Sequence, residues 1–132
     1  MNFRFKLLLL LVLLPTVLHA EALDERFASY QQEGAGSFDS TQGQAIWQQE
    51  ILHVKSGKSR SCSSCHGEDL TQPGKHLKTG KTIKPMARSV NPQRQTDGKK
   101  IEKWFKRNCK WTWGRACTAQ EKGDILSYLK QL

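Results

Sequence analysis

The sequence predicts an all-α domain, and three observations carry that prediction. Apolar residues recur at three- and four-residue spacing in separate segments, with capping signatures where those patterns begin. No internal repeat appears, and no segment alternates apolar and polar residues over a useful strand length. The third observation is the pentapeptide Cys62-Ser63-Ser64-Cys65-His66, a C-x-x-C-H motif, which is the attachment pattern of a c-type haem. Two thiols at that spacing match the two haem vinyl groups and form thioethers with them. The adjacent histidine supplies a neutral imidazole as proximal axial ligand. A thioredoxin-like pair would want a βαβ setting and a zinc site a second ligand pair, and neither is present. Four or five helices around one covalently bound haem c is the resulting expectation.

At the N-terminus, Arg4 and Lys6 precede an unbroken aliphatic run from Leu7 to Leu14, and Pro15 interrupts it. Small residues follow in Ala20-Glu21-Ala22. This order describes a secretory signal peptide over residues 1–22, cleaved after Ala20 or Ala22. The run falls short of the roughly 20 apolar residues of a membrane span, so no stable membrane insertion is expected after cleavage. An uncleaved anchor is the alternative. Export points to the periplasm, where c-type haems are attached and disulfides persist. Residues 23–132 then form one small monohaem domain whose modest core an inserted haem would enlarge.

Leu23, Phe27 and Tyr30 predict a first helix ending near Gly34-Ala35-Gly36. Thr41 and Gln44 resemble a capping box for a second helix carrying Ala45, Ile46, Ile51 and Leu52 and reaching about His53. Val54 to Ser61 is expected to be a polar loop. The segment from His66 to Thr96 is long, rich in Gly, Pro and Lys, and unusual for a free loop in so small a domain; wrapping a cofactor edge would explain it. Thr96 or Asp97 caps the next helix, where Ile101, Trp104, Phe105 and Asn108 fall at i, i+3, i+4 and i+7. Thr118 and Glu121 form a capping box for the last helix, with Ile125, Leu126, Leu129 and Leu132 inward.

Cys109 and Cys117 are the remaining cysteines, and in an exported chain they are expected to pair. So short a loop contributes about 3 kcal/mol or less, so fixing local geometry is a second role for the bridge. The second axial position decides the function. Met86 is the conventional ligand, because Met/His ligation suits an electron-transfer cytochrome. His76 and His53 are rivals, with His53 better read as a surface histidine. Asn108 offers a weak, hard carboxamide oxygen, or else simply caps a helix C-terminus. From pattern alone Met86 ranks first and Asn108 second.

The formal charge of +9 falls to +7 without Arg4 and Lys6, with cations scattered from Lys55 to Lys130. No nucleic-acid motif accompanies them, so nucleic acid is not an expected partner. The charge suits either steering toward acidic redox partners or a merely solvated surface.

Three segments carry a further resemblance: Asn91-Pro92-Gln93-Arg94-Gln95-Thr96-Asp97, Glu102-Lys103-Trp104-Phe105-Lys106-Arg107-Asn108-Cys109, and Gly114 through Asp124. From about Phe38 to Leu129 the chain resembles the SHP-type (sphaeroides haem protein) monohaem cytochromes c, a group to which cytochrome c″ is closely related. The W-F-x-x-N-C … C-T-x-x-E-K-G pattern is far more specific than C-x-x-C-H. The resemblance implies that Asn108, the asparagine before the first disulfide cysteine, is the sixth ligand, and that Met86 stands by near the haem edge. In cytochrome c″ a histidine takes that place. An amide oxygen suits hard Fe(III) and binds Fe(II) poorly, so ligand release on reduction and binding of O₂, NO or CO are expected. Other c-type cytochromes with acidic surfaces are the implied redox partners. Trp104 and Phe105 would keep the pocket dry, and Arg88 and Arg94 are candidate propionate partners. The competing class is a plain electron carrier with a permanent Met86 or His76 ligand. A haem enzyme is less expected, because no convincing distal acid–base residue appears.

Overall fold

Five helices and two short antiparallel hairpins make up the computed structural model, which describes residues 17–132, with side chains from Ala22 onward. Helix α1 spans Val17–Gln32, and α2 spans Ser40–Gln48. Strands β1 (Ile51–His53) and β2 (Lys58–Arg60) form the first hairpin, and the single-turn α3 covers Ser63–His66. The second hairpin pairs β3 (Gly74–Lys75) with β4 (Thr82–Ile83). The long α4 runs over Gly98–Trp113 and α5 over Ala119–Lys130. The expected helical class holds. The basic segment and aliphatic run of the expected signal peptide lie outside the described residues. Ala20 and Ala22, the alternative cleavage positions, fall within α1.

Local chemistry moves several boundaries. Asp39, not Thr41, caps α2, because its carboxylate accepts from the backbone N–H groups of both Thr41 (2.7 Å) and Gln42 (3.3 Å). That helix stops at Gln48, and Gln49 turns extended, so Ile51, Leu52 and His53 form a strand opposite Lys58–Arg60 instead of a last helical turn. The expected polar loop is therefore half of a hairpin. Asp97 caps α4 through Lys100 N–H (3.1 Å), and Gly114 ends it in the left-handed conformation at φ 75°. Asn108 is thus interior to α4 and not its C-cap. The Thr118–Glu121 capping box is present at the start of α5.

Helices α2 and α5 cross so closely that a methyl group on Gly43 would collide with the Asp124 carbonyl. The Phe38 ring lies equally tightly on Gly123. Asp124 is buried yet satisfied, accepting from Asp39 N–H (2.8 Å) and Gln120 Nε2 (3.0 Å). Two apolar clusters result. One joins Leu23, Tyr30, Ile101 and Leu126, with Phe27 and Phe38 packed against it. The other joins Trp47, Leu70, Ala87, Cys109, Trp113, Ile125 and Leu129, bordered by Cys62, Met86 and Phe105. Tyr30 is fully buried and its hydroxyl donates to Glu102, whose other oxygen accepts from Lys122 (2.9 Å).

Candidate functional site

The C-x-x-C-H motif is wound into α3 by a serine network that pattern reading passed over. Ser61 is buried, and its hydroxyl accepts from Ser64 N–H (3.1 Å) while Ser64 Oγ accepts from Ser61 N–H (2.9 Å). This is a reciprocal capping arrangement. A Ser-x-x-Ser spacing in the sequence is its signal. The Cys62 carbonyl accepts from Cys65 N–H (3.3 Å) and His66 N–H (3.1 Å), so both cysteines and the histidine share one turn. The second hairpin is seated directly on that turn, because any Cβ on Gly74 would strike the Cys65 carbonyl.

Cys62 and Cys65 are free thiols, each partly buried. Burial pushes the Cys62 thiol up to about 12. The His66 imidazole is driven down to about 4, chiefly by burial and secondarily by the Arg94 charge. It is therefore neutral at ordinary pH, the form that binds metal. Its Nδ1 is buried without a hydrogen-bond partner among the described residues, and its ring lies 5.2 Å from that of Trp47. Among the described residues no three His, Cys, Asp or Glu side chains converge on one point, so the thiol pair has no companions for a tetrahedral metal set.

Helix α4 faces this region with two different flanks. Ile101 and Phe105 turn toward the apolar clusters, while Trp104 is 47% exposed and Asn108 is exposed as well. The four residues thus share a helical stripe without sharing its burial. Phe105 and Cys109, on either side of Asn108, belong to the same cluster as Cys62, Trp47 and Met86. Cys109 is bridged to Cys117, with Cα atoms 5.6 Å apart, as the spacing predicts. The bridge ties the last turns of α4 to the residue before the α5 cap.

The rival ligands are held by other contacts. Met86 donates its N–H to the Leu70 carbonyl (3.0 Å), and its sulfur-bearing chain packs at the edge of the larger cluster. Arg94 braces the same loop, donating to the carbonyls of Pro85 (2.8 Å) and Lys84 (2.5 Å). His76 uses Nδ1 to accept from Lys78 and Thr79 N–H groups, both at 3.2 Å. The His53 ring packs at Gly114. Arg88 is half-buried and forms no ion pair among the described residues. Gln95, unnoticed in the sequence, is buried in a left-handed conformation at φ 53° directly after Arg94.

The residues fit a covalently attached haem: a two-thiol turn, a neutral buried imidazole with an unpartnered nitrogen, and an aromatic flank left open on α4. Comparison with known proteins agrees. A family model described as "Domain of unknown function (DUF1924)" matches residues 33–129. The chain is 39% identical over 105 residues to "Cytochrome c-type protein SHP" of Cereibacter sphaeroides, covering 77% of this chain and 78% of that one. It is 40% identical over 74 residues to cytochrome c″ of Methylophilus methylotrophus, covering 56% and 51%. The structure of oxidised SHP, described as an oxygen-binding cytochrome c, superposes with a TM-score of 0.72 at 36% identity, covering 81% of this chain and 94% of that one. Oxidised cytochrome c″ from Methylophilus methylotrophus superposes with a TM-score of 0.69 at 30% identity, covering 83% and 93%.

Proposed function

Because the chain belongs to the SHP/cytochrome c″ family of monohaem c-type cytochromes, we propose that it is an exported electron-transfer cytochrome whose Asn108 ligand leaves on reduction and admits a diatomic gas. When bound, the haem supplies a one-electron couple and an iron whose distal position is exchangeable. Cys62 and Cys65 would hold it as thioethers, and His66 would supply its neutral imidazole to the iron. Asn108 would offer a hard carboxamide oxygen, a donor that suits the oxidised metal better than the reduced one. Trp104 and Phe105 wall the vacated side against water.

The observation that supports this reading is the state of Asn108. It is exposed, within α4, one residue from a disulfide, and its side chain makes no hydrogen bond among the described residues. An amide with no structural employment on so fixed a helix suits a ligand better than a cap. The test is anaerobic reduction of the purified protein with visible spectra before and after CO. A ferrous spectrum that shifts with CO is expected, and a low-spin one indifferent to CO sinks the gas-binding reading. Asn108→Ala should change the ferric spectrum. If Met86→Ala does so instead, the protein is a plain Met-ligated carrier. Mass spectrometry of the exported protein tests haem attachment and leader cleavage together.

A further inference from the structure

The two hairpins flank the C-x-x-C-H turn and are basic throughout, as is the exposed face of α4. Residues 51–60 carry Lys55, Lys58 and Arg60, and residues 73–84 carry Lys75, Lys78, Lys81 and Lys84. Neither stretch contains an acidic residue; Glu50, Glu68 and Asp69 lie just outside them. All six lysines are exposed. Between them stand exposed apolar side chains, Leu52 at 58%, Val54 at 90% and Leu77 at 57%. Exposed apolar side chains beside cations offer contact area together with long-range attraction for an acidic partner.

Both hairpins reach one residue of α4. Trp111, near the end of α4, has the Arg60 guanidinium 4.0 Å above its ring and the His76 ring 5.4 Å away. Arg60 donates to the Trp111 carbonyl as well (2.7 Å), so hairpin and helix are joined by two contacts. A cavity of about 380 Å³ opens between α3 and the second hairpin, bounded by Cys65, Lys75, His76 and Leu77. The basic surface therefore abuts the thioether side of the haem turn. Its Trp111 floor lies three residues beyond Asn108 on the same helix.

We infer that this face is the docking surface for an electron-donating protein with an acidic surface. The inference rests on the haem reading above and names where its electron enters. The donor loses one electron and the iron gains it, so no bond or proton moves across the interface. Complementary fields raise encounter rates by tenfold to a thousandfold and fade with salt.

The test uses reduced flavodoxin, an acidic flavoprotein, as probe donor and reduced lumiflavin as a small donor without an acidic surface. Lys75→Glu/Lys78→Glu/Lys81→Glu should slow reduction by flavodoxin about tenfold or more at low ionic strength and flatten its salt dependence. Reduction by lumiflavin should be unchanged. Lys99→Glu/Lys103→Glu/Lys106→Glu, an equal charge reversal at exposed positions of α4, should keep most of the rate. Titration with oxidised flavodoxin, which transfers no electron, should shift amide NMR signals of residues 51–60 and 73–84 foremost. Equal slowing by both variants would overturn the inference in favour of net charge alone, as would no slowing or shifts elsewhere. If lumiflavin reduces neither protein and the pyridine spectrum lacks haem, the haem reading falls and the docking site with it.

Discussion

Glu121 shows how much one side chain can hold in place. Its carboxylate accepts from Arg115 (2.7 and 2.8 Å) and from Thr118 N–H (2.8 Å). The Arg115 hydrogen bonds foremost hold its pKa below the ordinary carboxylate range. Its folded pKa is the lower one, so its stabilisation is complete above the unfolded value of about 4.3 and is lost as pH falls through the folded value. Thermal melts of Glu121→Gln should thus differ from wild type near neutrality and converge in acid; a pH-independent gap would mean that ionisation contributes nothing. At this scale Glu121 was legible, because Thr-x-x-Glu is a local pattern. Asn108 was misread as a possible cap because its role depends on Gly114, where the helix stops. Ser61 was missed because a serine-only capping pair is a weaker signal than one closed by Glu or Gln.

Among the elements, α4 carries the most consequence, since it is capped by Asp97, closed by Gly114 and bridged in its penultimate turn to the segment before α5. Replacing both cysteines, Cys109→Ser/Cys117→Ser, should lower unfolding free energy by about 2–3 kcal/mol for so short a closed loop. Denaturant titration measures this, and an unchanged midpoint would show that packing alone fixes the loop. The longer helices were legible because each has turns of periodic apolar residues, and α4 and α5 open on caps readable from the sequence. The hairpins were not. Strands of two or three residues show no period, and Ile51-Leu52 continues the helical pattern until Gln49 breaks it. Asp39 prevailed over Thr41 because its carboxylate reaches two N–H groups at once.

For the whole molecule, the two apolar clusters are unequal. The one around Leu23, Tyr30, Ile101 and Leu126 is bordered by Phe27 and Phe38, the other by Cys62 and Met86, and Phe105 is partly covered at the edge of both. A Cys62→Ala/Cys65→Ala chain, which cannot attach haem, should keep slow amide exchange in α1 and α5 and lose it in residues 67–96. Uniform loss would instead make the domain one cooperative unit. The overall class and the haem turn were legible in short motifs. The open flank was not, because it depends on how α3, the hairpins and α4 come together. Helix α4 passes through Asn108 without a break and is stapled at the next residue. Where Asn108 is the ligand, only its own χ torsions can carry the amide away. Such rotations belong to the picosecond-to-nanosecond class, against microseconds or longer for hinged segments. Ligand exchange in this protein would then be paced by the iron–amide bond itself, with no hinge motion of α4 added to it.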